Sequence, residues 1–510
     1  MLSKIKFFVS QWWSENPLAV ILFAGLFFRL LAAIFSKGFG MMDDHFLVIE
    51  VAQSWVDKTD YNSWLPKDGQ SIPTPSGHSF FYPGLHYVLF KFLEFFGLKN
   101  PQGKMYVVRF LHALYSMITI YCGYKISMKI AGEKIAKQVG LLLALFWFFP
   151  FVSVRNLVEW ACIPPLMLAT WLALKNDKPK IVIYLLIGLL LGIGFNIRFQ
   201  TILFTGGFGL ALLFQRKIIQ AILVGIGFAI CAAAFQGLCD LIIWHHPFVE
   251  FGEYVRYNLA NSRTYFDQPW YNYMLLLMGI LVPPISLMLL FGFFRNFKKQ
   301  ILLFLPSFMF LAFHSYFPNK QERFILPIIP FVIMLGMIGW SEFSEQSKFW
   351  MERKKNLQAG WIFFWVLNTI LLCVISVSYS KKNRVEAMCY LAQKNDVQAL
   401  IIDDSNRGDV QQTPIFYLRK RVQQNEITNA TNKEEVCHNI LKEVPDQQPN
   451  YIIFYQSENL DQRKAVYEKY FNLRFETIIN PSFIDNVMYK LNPNNVNCVT
   501  YIYKILGEKR

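Results

Sequence analysis

Charge is what this chain of 510 residues has little of. Only 17% of its residues are charged, against about 25% in a soluble globular protein. With 54% of the chain hydrophobic and 49 phenylalanines, this scarcity excludes an ordinary soluble domain and points to a polytopic membrane protein. Acids are scarcer than bases, 35 against 50, which leaves a net charge of +15. That excess does not signal nucleic acid, because the bases fall in short clusters between apolar runs: Lys4 and Lys6; Lys129, Lys134 and Lys137; Lys175, Lys178 and Lys180; Arg216 and Lys217; Arg295, Lys298 and Lys299; Arg353, Lys354 and Lys355. Cytoplasmic loops that meet anionic lipid have this pattern. The eight cysteines show no metal-ligand spacing. Cys122, Cys162, Cys231, Cys239 and Cys373 read as small core residues; one disulfide among Cys389, Cys437 and Cys498 stays open. His78, His245, His246 and His314 lack zinc spacing as well. No internal repeat and no low-complexity linker is read.

Long apolar runs are plentiful. A crossing takes about 20 apolar residues, and the pattern predicts eleven: near 17–36, 105–124, 139–153, 160–174, 181–197, 199–214, 218–243, 273–294, 301–317, 324–340 and 360–378. The pair 181–214 meets at Asn196–Arg198 with almost no loop and reads alternatively as a hairpin of short helices. The first run lacks a small-residue cleavage site and reads as a retained membrane helix. With the N-terminus inside, every basic cluster lies on the cytoplasmic side. The outer face then receives a long loop, 37–104, a turn with Arg155 and Glu159, the loop 244–272, and the turn Pro318–Phe324. Residues 380–510 have ordinary charge. There, β-prone runs such as Gln398–Ile402, Tyr451–Tyr455 and Phe475–Ile479 alternate with helical stretches such as Leu460–Tyr470. The expectation is a mainly α, polytopic membrane domain, 1–379, followed by a small extramembrane α/β domain, 380–510.

Carboxylates at a membrane surface need a reason. In Gly38–Gln53, Asp43 and Asp44 precede His45, and Glu50 follows. The plain reading is an Asp capping a helix that begins near His45, with Glu50 a surface acid. The functional reading makes one Asp a general base for an attacking hydroxyl. Two carboxylates alone make a weak metal site. Lys320, Glu322 and Arg323 read either as a charged turn or as a phosphate clamp, with arginine offering a bidentate fork. Arg198 lies in GIGFNIRFQTIL, apolar on both sides, and calls for a buried partner or an anionic ligand. Arg109 reads as snorkelling. Arg155 and Glu159, four apart, read as a simple ion pair. Trp270 and Tyr271 fit an interface belt or a sugar-stacking platform.

Met41-Met-Asp-Asp-His-Phe-Leu-Val-Ile-Glu-Val-Ala-Gln53 resembles the signature of the glycosyltransferase family 22 mannosyltransferases, HPDE followed by aromatics and EVAH. Asp43 and Asp44 fall on its D and E, and Glu50-Val51-Ala52 on its EVA; Met41-Met42 replace HP, and Gln53 replaces the final His. Tyr82-Pro83-Gly84, Arg155–Glu159, Gly192–Arg198, Tyr257-Asn258 and Pro269–Tyr273 resemble further family elements. Pro318-Asn-Lys-Gln-Glu-Arg-Phe-Ile-Leu-Pro-Ile-Ile-Pro330 is close to PHKEERF…P…P, with Asn319 for His and Gln321 for Glu. The ordered match covers about 15–340 and suggests a divergent bacterial member.

The resemblance implies a GT-C fold and an inverting transferase that moves a sugar, mannose by expectation, from a polyprenyl-phosphate donor to a glycan or glycolipid acceptor. It implies no cofactor and no metal. By this resemblance Asp43 is the base, with Asp44 second. Lys320, Arg323, Arg198 and Arg155 hold the donor phosphate, and Glu50, His78, Tyr82, Asn258, Trp270 and Glu322 contact substrate. The expected location is the inner membrane with the site on the extracytoplasmic face, or the ER membrane in a eukaryote. Two other readings stay open: a GT-C transferase acting in aminoarabinose or protein O-glycosylation transfer, and a lipid-linked-sugar transporter. The near-absence of acids along the apolar runs weakens transport.

Overall fold

The computed structural model describes residues 11–61, 75–176, 180–492 and 495–509. Lys4, Lys6 and Lys178 of the basic clusters lie outside the described residues. The chain forms two compact units.

The first unit is helical and comprises Met1–Ile34, Pro66–Leu85 and Val107–Val377. Among the described residues, five helices are long and apolar enough to cross a membrane: Pro17–Phe35, Pro101–Leu145, Ile218–Trp244, Glu322–Gln346 and Lys354–Ser376. Val182–Ile197, Phe199–Phe214, Ile285–Arg295 and Ile301–Tyr316 are shorter apolar helices. Pro101–Leu145 breaks at Gly132, whose φ of 79° and ψ of −179° only glycine adopts readily. The chain reverses there, inside the basic cluster Lys129–Lys137, so that Leu143 packs beside Gly123. The pair expected at 181–214 takes the short-helix form: Arg198 is extended (φ −145°, ψ 108°) between Val182–Ile197 and the turn Phe199–Thr201. Val182–Ile197 also lies against Ile218–Ala232 at Gly188 and Gly227, whose missing side chains let the backbones touch.

One buried cation in this unit escaped the sequence reading. Arg29 is 1% exposed. Its guanidinium donates to Ser116 Oγ (2.9 Å), Gly25 O (3.1 Å), Ala144 O (2.9 Å) and Leu143 O (3.1 Å), tying the helix Pro17–Phe35 to both arms of the Gly132 hairpin. Four acceptors offset the cost of a charge among apolar helices. Snorkelling was expected of Arg109 from its place near the end of a predicted crossing, but the residue lies inside the helix Pro101–Leu145 and its side chain is buried. It is 1% exposed and its Nε donates to Ala33 O at 2.8 Å.

The second unit joins Phe35–Leu65 and His86–Tyr106 to Ser378–Arg510. The acidic segment Gly38–Gln53 shares this unit with the C-terminal sheet. That sheet has five strands, β1 (Ala399–Asp403), β2 (Gln423–Ile427), β3 (Tyr451–Tyr455), β4 (Phe471–Ile479) and β5 (Thr500–Glu508), in the order β2-β1-β3-β5-β4. β1 is parallel to β2 and β3, and β5 is antiparallel to β3 and β4. β1 and β3 are buried throughout, as expected of apolar runs in a parallel core. All eight cysteines are free, so no disulfide joins Cys389, Cys437 and Cys498.

Gly38 bridges to Ser380 and has a φ of 80°. A Cβ there would lie 1.8 Å from the Ser380 carbonyl oxygen. Gly38→Ala is therefore expected to destabilise by more than about 1 kcal/mol, since it adds a clash to a left-handed backbone. An unchanged melting temperature for the purified variant would contradict this.

Candidate active site

In the second unit, Asp43 and Asp44 occupy a one-turn helix, Met42–Asp44, that runs into a π-helical turn, His45–Glu50, and then Val51–Asp57. Capping was expected from an Asp just before His45. Instead the N-cap is Met41, without a side-chain bond, and both acids lie inside the first turn. Asp43 is half-buried and Asp44 is 2% exposed, so only Asp43 offers its carboxylate to solvent to any extent. π-turns cluster at functional sites. Here the turn carries His45 into a stack between Phe39 (centroids 4.6 Å) and Tyr417 (5.5 Å). Glu50 is not a surface acid. It is 1% exposed, accepts from Phe416 N at 2.9 Å, and lies 3.5 Å from His45 Nε2. Gln53, which stands where the resembled motif has His, accepts from the buried Lys104 Nζ at 2.7 Å; that lysine also meets Glu94 at 2.6 Å.

In the first unit, two arginines meet one carboxylate. Glu159, on the helix Val158–Ala161, is wholly buried. Arg198 Nη2 lies 3.1 Å and Arg323 Nε 3.5 Å from its Oε1. The expected pairing of Glu159 with Arg155 assumed continuous helix, but residues 154–157 are not helical. Arg155 turns its guanidinium over the Phe151 ring (3.4 Å) and donates to Phe151 O at 2.7 Å. Gln200 Oε1 accepts from Arg198 Nε (3.0 Å), and Gln321 Oε1 from Arg323 Nε (2.9 Å). Both guanidiniums face the Phe324 ring, at 5.3 and 5.6 Å. Tyr273 OH donates to Gln321 O at 3.0 Å and steadies the turn. Lys320 is 4% exposed, and its Nζ donates to Phe317 O at 2.5 Å.

The other expected substrate contacts also belong to this unit. Tyr82 OH meets His112 Nε2 at 2.5 Å. His78 Nδ1 lies 2.9 Å from Ser76 O, and Asn258 Nδ2 donates to Tyr254 O at 2.7 Å. Glu322 is exposed, and Trp270 is 70% exposed with its ring against Tyr271. Among the described residues, no group of three or more His, Cys, Asp or Glu could hold a metal ion.

Glu250 was missed. Its buried carboxylate accepts from the backbone of Ser76 (3.3 Å), Gly77 (2.5 Å) and His78 (3.1 Å) and from Ser76 Oγ (3.1 Å). Gly77, at φ 73°, turns these donors to one side; Ser-Gly-His was the only signal in the sequence. Burial outweighs the three N–H donors and pushes the Glu250 carboxyl up to about 7. A carboxyl raised by folding favours the native state while protonated, and that contribution fades as pH climbs through the raised value. Stability is thus expected to fall between about pH 4.5 and pH 7. In Glu250→Gln that window should flatten; parallel melting-temperature curves for the two proteins would refute the assignment.

The sequence profile of the Alg9-like mannosyltransferase family matches residues 20–407, a span that takes in the acidic turn, Glu159, Arg198 and Arg323. The chain belongs to the Alg9-like mannosyltransferase family. This match runs beyond the 15–340 covered by the motifs alone and reaches into the C-terminal sheet. Mannosyltransferase APTG1 of Arabidopsis thaliana is 22% identical over 405 residues, 74% of this chain and 71% of that protein. A probable Dol-P-Man:Man(7)GlcNAc(2)-PP-Dol alpha-1,6-mannosyltransferase of Schizosaccharomyces pombe is 28% identical over 179 residues, 33% of each. ArnT from Cupriavidus metallidurans bound to undecaprenyl phosphate superimposes with a TM-score of 0.59 at 10% identity, covering 96% of this chain and 98% of that one. That likeness shows the fold, the GT-C fold expected from the motifs. As an Alg9-like family member the chain is a multi-pass membrane glycosyltransferase.

Proposed function

We propose that this enzyme moves mannose from a polyprenyl-phosphate donor to a hydroxyl of a glycan or glycolipid acceptor, with inversion at the anomeric carbon. The observation that carries the reading is the buried group Arg198–Glu159–Arg323. Two guanidiniums converge on one buried carboxylate and are already oriented by Gln200 and Gln321. A lipid phosphate departing with the C–O bond electrons needs such preorganised cations. Arg198 and Arg323 bind its oxygens, with Lys320 and Arg155 in support. The donor class is supported by the donor in the yeast relative's name and by the undecaprenyl phosphate held by the fold neighbour.

Asp43 is the general base. As the acceptor oxygen attacks the anomeric carbon, its proton passes to the Asp43 carboxylate. Asp44 is second choice because it is buried. Glu50, His78, Tyr82, Asn258, Trp270 and Glu322 complete the substrate contacts, and no metal or cofactor takes part. The distribution of basic clusters supports about eleven crossings, with the site and residues 380–510 on the extracytoplasmic face. The test supplies the purified enzyme with polyprenyl-phosphate mannose or polyprenyl-phosphate glucose and a glycolipid acceptor. Consumption of the mannosyl donor alone is expected; preference for glucose would overturn the sugar assignment.

A further inference from the structure

The sheet of the second unit changes direction between β1 and β3. From the carboxyl end of β1 the chain turns to β2 on one side; from the carboxyl end of β3 it leaves through the helix Leu460–Tyr467 towards β4 on the other. In open α/β sheets, ligands bind in the crevice at such a switch point. Asp403, at the end of β1, is fully used by the fold: it accepts from Arg463, Tyr467 and Ser405.

The residues around it are not fully used. Asp404 is wholly buried; its Oδ2 accepts from Gln411 N at 3.2 Å, while Oδ1 has no hydrogen-bond partner among the described residues. Arg384 is 4% exposed. It donates to Gln412 O (3.3 Å) and Asn497 Oδ1 (3.2 Å), and its Nε is unmatched among the described residues. Among the same residues Arg407 Nη1, Gln411 Oε1 and the buried Tyr455 hydroxyl are unmatched as well. These groups are electrostatic neighbours: Arg384 feels Tyr455, Asp404 and Arg407. A fold rarely leaves so many buried polar atoms unmatched in one place, and each is a group that ligands use. Two guanidiniums suit a phosphate. The free oxygens of Asp404 and Gln411 suit sugar hydroxyls.

We propose that the carboxyl ends of β1 and β3 form a second binding site, for a phosphorylated sugar head group held by Arg384, Arg407, Asp404, Gln411 and Tyr455. It stands on the second unit alone and does not depend on the transfer reaction. Phe39, whose ring lies 5.3 Å from the Arg384 guanidinium carbon and stacks on His45, links the site to the segment that carries Asp43.

The test is calorimetric titration of the full-length enzyme in detergent. Mannose 6-phosphate represents a free sugar phosphate, and citronellyl-diphosphate N-acetylglucosamine a lipid-linked one. Saturable binding of at least one is expected, with the tighter arm identifying the source. Losing one charge-assisted contact in Arg407→Gln or Asp404→Asn should weaken it about tenfold. Arg407 is half-exposed and Asp404→Asn keeps shape, so both test the site even if Arg384 variants fail to fold. The proposal is overturned by no saturable binding in either arm, by unchanged affinity in both variants, or by equal competition from inorganic phosphate or mannose.

Discussion

Asp43→Asn is expected to lower mannosyl transfer by about 10²–10⁴-fold, the usual contribution of a positioned general base. Melting temperature should stay as in the parent. The side chain is half-buried in a single helical turn, and asparagine preserves its shape and much of its hydrogen bonding. The ability to take the acceptor proton is lost. Asp44→Asn makes the contrast. Asp44 is 2% exposed, so its substitution should act first on stability, with transfer falling in step with the folded fraction. The measurement is turnover of a radiolabelled polyprenyl-phosphate mannose beside a thermal melt on the same preparations. Full activity in Asp43→Asn, or a collapse of both properties, would remove Asp43 from the role.

Glu159→Gln is expected to cost about 3–5 kcal/mol of stability, the range for breaking a buried ion pair by removing one partner. Glu159 is wholly buried between Arg198 and Arg323. Glutamine fills nearly the same volume, so packing is preserved and the loss is electrostatic: both guanidiniums lose the carboxylate they converge on. Arg198→Lys should lose less, because the charge remains, while the planar fork that reaches both Glu159 and Gln200 is gone. A melt followed by tryptophan fluorescence reads both. If Glu159→Gln melts with the parent, the triad is not an electrostatic unit. Donor should partly restore the stability of Glu159→Gln if the arginines bind phosphate, since a ligand that binds only the folded state stabilises it.

Much of the fold was legible because its signals are local. Apolar runs marked the helices, and clustered lysines marked the Gly132 turn. In the C-terminal sheet, β1 and β3 were visible as buried apolar strands. β2 was not: Gln423–Ile427 reads QQNEI and has only its last residue buried, so it is held by ladder bonds to β1 and shows no alternation. The site was legible in part. Asp43, Arg198 and Arg323 emerged from the sequence as candidates, while Arg29 and Glu250 did not. A single charge in a run gives no hint of acceptors that lie many helices away.

The sequence by itself determined the membrane class, the ordered family motifs and, through them, the reaction type, because each depends on residues close together in the chain. Tertiary structure alone decided how the charges are used. It buried Asp44 and left Asp43 half-open. It set Glu50 on the Phe416 amide and gave Glu159 to Arg198 and Arg323. It also gathered Asp404, Arg384 and Arg407 at one end of the sheet. Burying a charge is tolerated only where partners from distant segments converge, and that convergence is a property of the folded chain, not of any stretch of it.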